Sequence, residues 1–420
     1  MKNIVFTSLI TLNLLALSGC EPTEAALVDE QMPVGQHNTQ KQSPKHTIRI
    51  TQTHKTNPMT RRAQARETLQ TQAKFHTPNT IKTQTQKSVP IQHAQMQPRQ
   101  HVQFKPQPVT RALAPRTPFR VKRCMNLGNA LEAPREGEWG YTIRAKDFRI
   151  IANARFDTVR IPIRWSKHAS TRPPYTIDPS FMRRVQTLVG QAQQNGLGVI
   201  IDVHHYRKLM DNPAGHEARL LSFWKQISLA FANAPENVYF ELLNEPMGSI
   251  DTNHMNALYA KLVPIIRQHN PTRKIIIGGE PWNHLETMET VKWPRDNNLV
   301  ATFHYYGPHK FTHQGAEWEN PVQPVGVQWG SQADFQEMQK SFARARAFAK
   351  ASGLPIFVGE FGVIDKVPLA QRNQWVKAHR QALEASGFSW CAWDFVGAFK
   401  TYDLQKETWL PGSLNALMGR

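Results

Sequence analysis

Two glutamates stand out by where they fall in the chain. Glu245 closes the run VYFELLNE and Glu360 lies inside PIFVGEF, and both runs are otherwise largely apolar. Other apolar runs carry polar groups in the same way. FDTVRIPI contains Arg160, and LGVIIDVH leads into His204 and His205. LVATFHYY ends in His304, Tyr305 and Tyr306, FSWCAWDF contains Trp393, and Asn244 directly precedes Glu245. A core needs none of these charges, and burying one unpaired is costly. Two carboxylates among an arginine, histidines and a tyrosine point to paired-carboxylate chemistry, of which glycoside hydrolysis is the standard use.

For these residues to meet, the runs that carry them must lie side by side with one polarity. Eight strands are expected, at 124–129, 156–163, 197–204, 238–245, 274–279, 299–306, 355–361 and 388–395. Most are apolar nearly throughout, as buried parallel strands should be. Amphipathic helices are expected between them, at 143–154, 215–232, 254–269, 333–352 and 368–386. A further helix is opened by Asp178-Pro179 as N-cap and first turn and closed by Gly196. The helix after the fifth strand is poorly marked. Eight such units predict an α/β fold, a (β/α)8 TIM barrel with its chemistry at the C-terminal ends of the strands. A doubly wound sheet is the alternative, but nothing resembles its Gly-rich phosphate loop.

The rest of the chain is different in texture. The 420 residues carry 51 Lys+Arg against 32 Asp+Glu, a net charge of +19. All 11 Trp and all 8 Tyr lie at or after Trp139. Residues 1–19 read as a lipoprotein signal: Lys2, an apolar stretch, then Leu17-Ser18-Gly19 before Cys20, the expected lipidation site. Residues 20–118 read as a disordered basic Gln/Thr-rich tether, with too little apolar surface to offset its ordering entropy. The catalytic domain is expected over 119–420. The tether's charge suits contact with an anionic cell surface. It lacks the aromatic platforms that single-stranded nucleic acid stacks on, so no nucleic-acid partner is expected. Three Cys without CxxC spacing exclude a disulfide scaffold and a structural zinc module.

Seven ordered motifs resemble glycoside hydrolase family 5 of the cellulase A type: NLGNALEAPREGEWG, VRIPIRW, IDVHHY, LLNEP, FHYYGPHKFTHQGAEW, VGEFG and WCAWDF. The resemblance runs from about Arg123 to the C-terminus and implies a retaining barrel enzyme. It makes Glu245 the general acid/base and Glu360 the nucleophile, held by Arg160 and a hydrogen bond from Tyr306. Burial and its anionic partner are expected to raise the Glu245 carboxyl. Asn244 is placed to bond the sugar 2-hydroxyl, His304 to tune Glu245, and Trp393 to floor the −1 sugar. His204 and His205 are implied near that sugar. Neighbours on a strand face opposite ways, so the two are poor joint metal ligands. Asn129, Glu132, His313 and Trp318 match cleft-lining positions, and Trp282 suits either the aglycone side or packing.

The expected reaction is endo-acting hydrolysis of β-1,4-glucan, of cellulose type and extending to glucomannan or mannan, by a monomer with no cofactor and no metal. Mixed-linkage glucan or xyloglucan hydrolysis and a non-catalytic carbohydrate-binding lipoprotein are the alternatives. Expected localisation is export with a lipid anchor on Cys20, at the outer rather than the inner membrane. Cys124 and Cys391 fall on the first and last strands, which are neighbours once the barrel closes. Adjacent parallel strands give poor disulfide geometry, so two buried thiols are expected, with a bridge, which export would permit, as the alternative.

Overall fold

A computed structural model describes residues 113–419. The signal at 1–19, Cys20 and the tether up to residue 112 lie outside these residues.

The eight expected strands are present with shorter regular parts, β1 beginning one residue before its expected start. They are β1 (Arg123–Asn126), β2 (Thr158–Ile161), β3 (Gly198–Asp202), β4 (Val238–Glu241), β5 (Ile275–Ile277), β6 (Leu299–His304), β7 (Ile356–Phe361) and β8 (Ser389–Ala392). All pair in parallel and in chain order, and β8 returns to β1, so the sheet is a closed barrel. The helices that cover it include α1 (Ala145–Asn153), α2 (Pro179–Gln194), α3 (Arg207–Asp211), α4 (Pro213–Ala230) and α5 (Thr252–Arg267). The C-terminal half adds α6 (His309–Thr312), α7 (Gln332–Ser352), α8 (Leu369–Ala385) and α9 (Ser413–Met418). Asp178 caps α2 as expected, its carboxylate accepting from the N–H groups of Ser180 and Phe181. The poorly marked fifth crossover contains only a 3-10 turn, Leu285–Glu289.

Two apolar cores result. The larger lies between the strands and the helices. The smaller fills the barrel itself, where Cys124, Ile200, Tyr239, Ile276, Val300, Phe357 and Cys391 pack together with Phe119 against them. Side chains two residues apart share a strand face. The next layer up the lumen from Cys124, Ile200 and Tyr239 is therefore Asn126, Asp202 and Glu241, all buried. The barrel thus changes from apolar to charged along its own axis, towards the strand C-termini.

Two expectations need correction. Cys124 and Cys391 form a disulfide rather than two free thiols. Register is the reason: the two residues are directly opposed in the β1–β8 pairing, both point inward, and their Cα atoms are 4.1 Å apart. Residues 113–118, which composition assigns to the tether, are also hydrogen-bonded to the barrel. Thr117 donates its N–H to Asn298 Oδ1 at 2.8 Å, Asn298 returns a bond to Pro115 O, and Arg116 reaches Gly353 O.

Candidate active site

The charged layer is organised by Arg160, which is fully buried on β2. Its guanidinium donates to Glu360 Oε1 at 2.8 Å, to Asn126 Oδ1 at 3.0 Å and to Asn244 Oδ1 at 2.7 Å. It also spans both oxygens of Glu241, at 2.6 and 3.0 Å, and lies 2.9 Å from Asp202 Oδ2. A planar five-donor fork suits this task and an ammonium does not. One cation thus faces three carboxylates. Burial opposes charge on Asp202 and Arg160 counters it, so that carboxyl is pushed up to only about 6. Burial alone would lower the Arg160 pKa, but Glu241, Asp202 and Glu360 hold it well above its usual range.

Glu245 sits just past the end of β4 with φ 41°. Left-handed backbone is uncommon outside glycine. Here it turns the chain out of the strand and delivers the carboxylate to the cleft. Burial pushes its carboxyl up to about 7, with a smaller contribution from Glu241. The anion expected to act on it was Glu360, yet the repulsion between the two falls on Glu360 instead. Glu360 is raised first by burial, while His304, Arg160 and the Tyr306 hydroxyl pull it back. Tyr306 donates to Glu360 Oε2 at 2.9 Å, and burial beside Glu360 keeps its phenol protonated.

His304 stands between the two glutamates. Its Nδ1 is 2.7 Å from Glu245 Oε1 and 3.6 Å from Glu360 Oε2. The β6–β7 register shifts between Phe303 and His304, which places His304 opposite Glu360. Such irregularities re-aim side chains beside active sites. Burial lowers the His304 pKa, so the ring is neutral near pH 7. One ligand-type atom from each of Glu245, His304 and Glu360 lies within 4.8 Å of the others.

His204 gives Nδ1 to Asp202 at 2.7 Å and takes Asn244 Nδ2 on Nε2 at 3.3 Å. Both its nitrogens are occupied, so it positions Asn244. Asn244, held by Arg160 and His204, keeps one N–H for a sugar hydroxyl. His205 is exposed, with φ 48°. The expectation that it faces away from His204 fails, because β3 ends at Asp202 and strand alternation ends there. Their rings are 4.5 Å apart, and His205 also meets Trp139 at 5.9 Å. The Trp393 ring is parallel to His204 at 6.0 Å and half-buried beside the cleft.

Glu132 is buried rather than displayed on the cleft wall. Its carboxylate accepts from the backbone N–H of Asn129 and of Ala130, the latter at 3.0 Å. It shapes the loop that presents Asn129, whose φ is 65°. Burial pushes the Glu132 carboxyl up to about 8, and that of neighbouring Asp394 to about 7. His313 packs edge-on against Tyr306 at 4.8 Å, and Trp318 is exposed 6.4 Å from Phe399. Trp282 is also exposed, its backbone N–H bonded to Pro246 O next to Glu245.

Sequence reasoning missed Asn126, Asp202, Glu241 and Asp394. The signal that marked Arg160, a polar group inside an apolar run, was equally present at Asp202 and Glu241.

This arrangement has known counterparts. The family model described as cellulase (glycosyl hydrolase family 5) matches residues 124–398. Endoglucanase H of Acetivibrio thermocellus is 35% identical over 290 residues, covering 68% of this chain and 31% of that protein. The chain thus spans about a third of that relative's length. Among solved structures, Thermotoga maritima Cel5A in complex with cellobiose is 39% identical, covering 71% of this chain and 97% of that one, with TM-score 0.70. The mannotriose complex of Thermotoga maritima Cel5A is also 39% identical, with the same coverage and TM-score 0.69. The clostridial cellulose synthase subunit Z of Clostridioides difficile is 34% identical over 71% of this chain and 100% of that one, with TM-score 0.69.

Proposed function

Because the chain belongs to glycoside hydrolase family 5, we propose that it is a retaining, endo-acting hydrolase of β-1,4-glucan that also accepts glucomannan or mannan. The observation that carries this reading is the carboxylate spacing. An oxygen of Glu245 lies within 4.8 Å of an oxygen of Glu360. Retaining enzymes hold their carboxyl groups about 5–5.5 Å apart, whereas inverting ones leave about 6.5–9.5 Å for a water. The mannotriose and cellobiose complexes of Thermotoga maritima Cel5A support the breadth of substrate.

The roles follow from the environments. His304 Nδ1 and Glu245 Oε1 share one hydrogen across 2.7 Å. Glu245, raised to about 7, keeps its acid proton near neutrality and delivers it to the leaving glycosidic oxygen. Glu360, its two oxygens held by Arg160 and Tyr306, attacks the anomeric carbon. A glycosyl-enzyme forms, and Glu245, now ionised, takes a proton from the incoming water. Asn244 bonds the 2-hydroxyl as the oxocarbenium ion develops.

Azide separates the two roles. On an aryl glycoside with a good leaving group, Glu245→Ala should still form the glycosyl-enzyme, and azide should release it as the β-glycosyl azide. Glu360→Ala should give only an α azide or nothing. Exchange of these behaviours would reverse the assignment.

Export and lipid attachment at Cys20 are part of the same proposal. The sequence MKNIVFTSLITLNLLALSGC supports it, and so does the Cys124–Cys391 disulfide, since such bonds persist in oxidising compartments. A Cys20→Ser variant should leave the membrane fraction. Retention at both low and high salt would remove lipid as the anchor.

A further inference from the structure

A second cluster of ligand-type side chains stands beside Tyr306 and contains neither of the two paired glutamates. His309 opens α6, His313 follows its last residue, and Glu319 lies in the loop beyond. One nitrogen of each histidine and one oxygen of Glu319 lie within 4.8 Å of one another. His309 and His313 are four residues apart across one turn, which brings their rings together at 4.1 Å. His309 Nε2 is 2.6 Å from Glu319 Oε1.

The hydrogen bonding around His313 fixes which of its atoms is available. Thr312 Oγ1 donates its hydrogen to Tyr306 O at 2.7 Å. Thr312 Oγ1 is therefore an acceptor towards His313 Nδ1, 3.0 Å away. His313 carries its hydrogen on Nδ1 and has an open lone pair on Nε2. A second partner that sets the tautomer in this way is the usual support of a metal-binding imidazole. His309 and Glu319 are already in contact with each other, so their side chains need only small adjustments to close on a shared ion.

We propose that His309, His313 and Glu319 form a divalent transition-metal site, and that an ion bound there obstructs the cleft. Two imidazoles and one carboxylate form a donor set that zinc and copper favour over magnesium or calcium. The route to the active centre is short. His313 packs on Tyr306 at 4.8 Å and on Phe399 at 5.1 Å, and Tyr306 holds the nucleophile Glu360. An ion that fixes His313 occupies the space beside Tyr306, at the cleft position that His313 matches by motif.

Calorimetric titration of the metal-stripped full chain with zinc chloride reads the site without reference to catalysis. The wild type should bind one more equivalent than either His309→Ala or Glu319→Gln, a comparison that cancels zinc bound elsewhere. In parallel, zinc should lower kcat/KM of the wild type several-fold, reversibly with EDTA, and should act at least tenfold less potently on either variant. Equal stoichiometry in all three proteins would overturn the site. A lost equivalent with undiminished inhibition would place the inhibitory ion on Glu245, His304 and Glu360 and overturn the coupling. If the chain had no glycosidase activity, the stoichiometry would still decide whether the site exists.

Discussion

At the scale of single residues, one guanidinium sets the working charge of the centre. Arg160 donates to Glu360, Glu241, Asn126 and Asn244 from a fully buried position. The account predicts a bell-shaped pH profile of kcat/KM. The alkaline limb reports loss of the Glu245 proton near its raised value of about 7. The acid limb reports protonation of Glu360. Arg160→Lys keeps a charge but cannot span these partners, so Glu360 is less well held as an anion. Its pKa rises, and the acid limb should move to higher pH by about one unit, equivalent to roughly 1.4 kcal/mol. An unmoved acid limb would show that Arg160 does not set the nucleophile's charge. Glu132 makes a different prediction, about stability. Its ordinary value is 4.5 and its folded value about 8. Between these, the unfolded chain has released a proton that the folded protein still holds. Stability should therefore fall as pH rises through that window. Glu132→Gln should flatten the fall, measured by urea denaturation at intervals of pH. An identical pH dependence in the variant would mean that the buried carboxyl is not the cause.

At the scale of elements, the strands were legible because buried parallel strands are apolar runs and little else in this chain is. The weak fifth crossover was legible for the same reason, since no helical period marks it and only a 3-10 turn forms. What escaped is geometry that begins where a strand ends. The left-handed backbone at Glu245 has no residue signature such as glycine, and at Asn129 and His205 only the weak preference of Asn and His for that region. Strand alternation does not reach His204 and His205, because β3 stops at Asp202. Glu132 matched a cleft position by motif, yet its carboxylate turns inward to backbone N–H groups. The disulfide was misjudged on general strand geometry, when the β1–β8 register decides it. That bond joins the first and last strands across a sequence separation of 267. By chain entropy, closing so long a loop stabilises by up to about 5 kcal/mol. The double variant Cys124→Ala/Cys391→Ala should unfold at clearly lower denaturant than the wild type under non-reducing conditions. Coincident unfolding curves would mean that the two cysteines do not pair.

For the whole molecule, the barrel has two ends with separate tasks. Chemistry occupies the strand C-termini, while the opposite end is closed by residues just before β1. Phe119 packs edge-on against Tyr239 at 5.1 Å and Phe357 at 6.0 Å, and Thr117 bonds to Asn298. A chain starting at residue 113 should therefore keep its stability and its turnover on soluble substrate. One starting at residue 120 should lose a few kcal/mol, as removal of a packed aromatic does, yet keep its cleft. Equal stability of the two would show that the closing segment does not matter. Within the cleft, Glu245 and Glu360 are proposed to act together by double displacement. Proton NMR of the first product released from a β-linked cello-oligosaccharide, recorded before mutarotation, tests it most directly. The β-anomer should appear first and the α-anomer should grow in later. Initial release of the α-anomer would contradict double displacement.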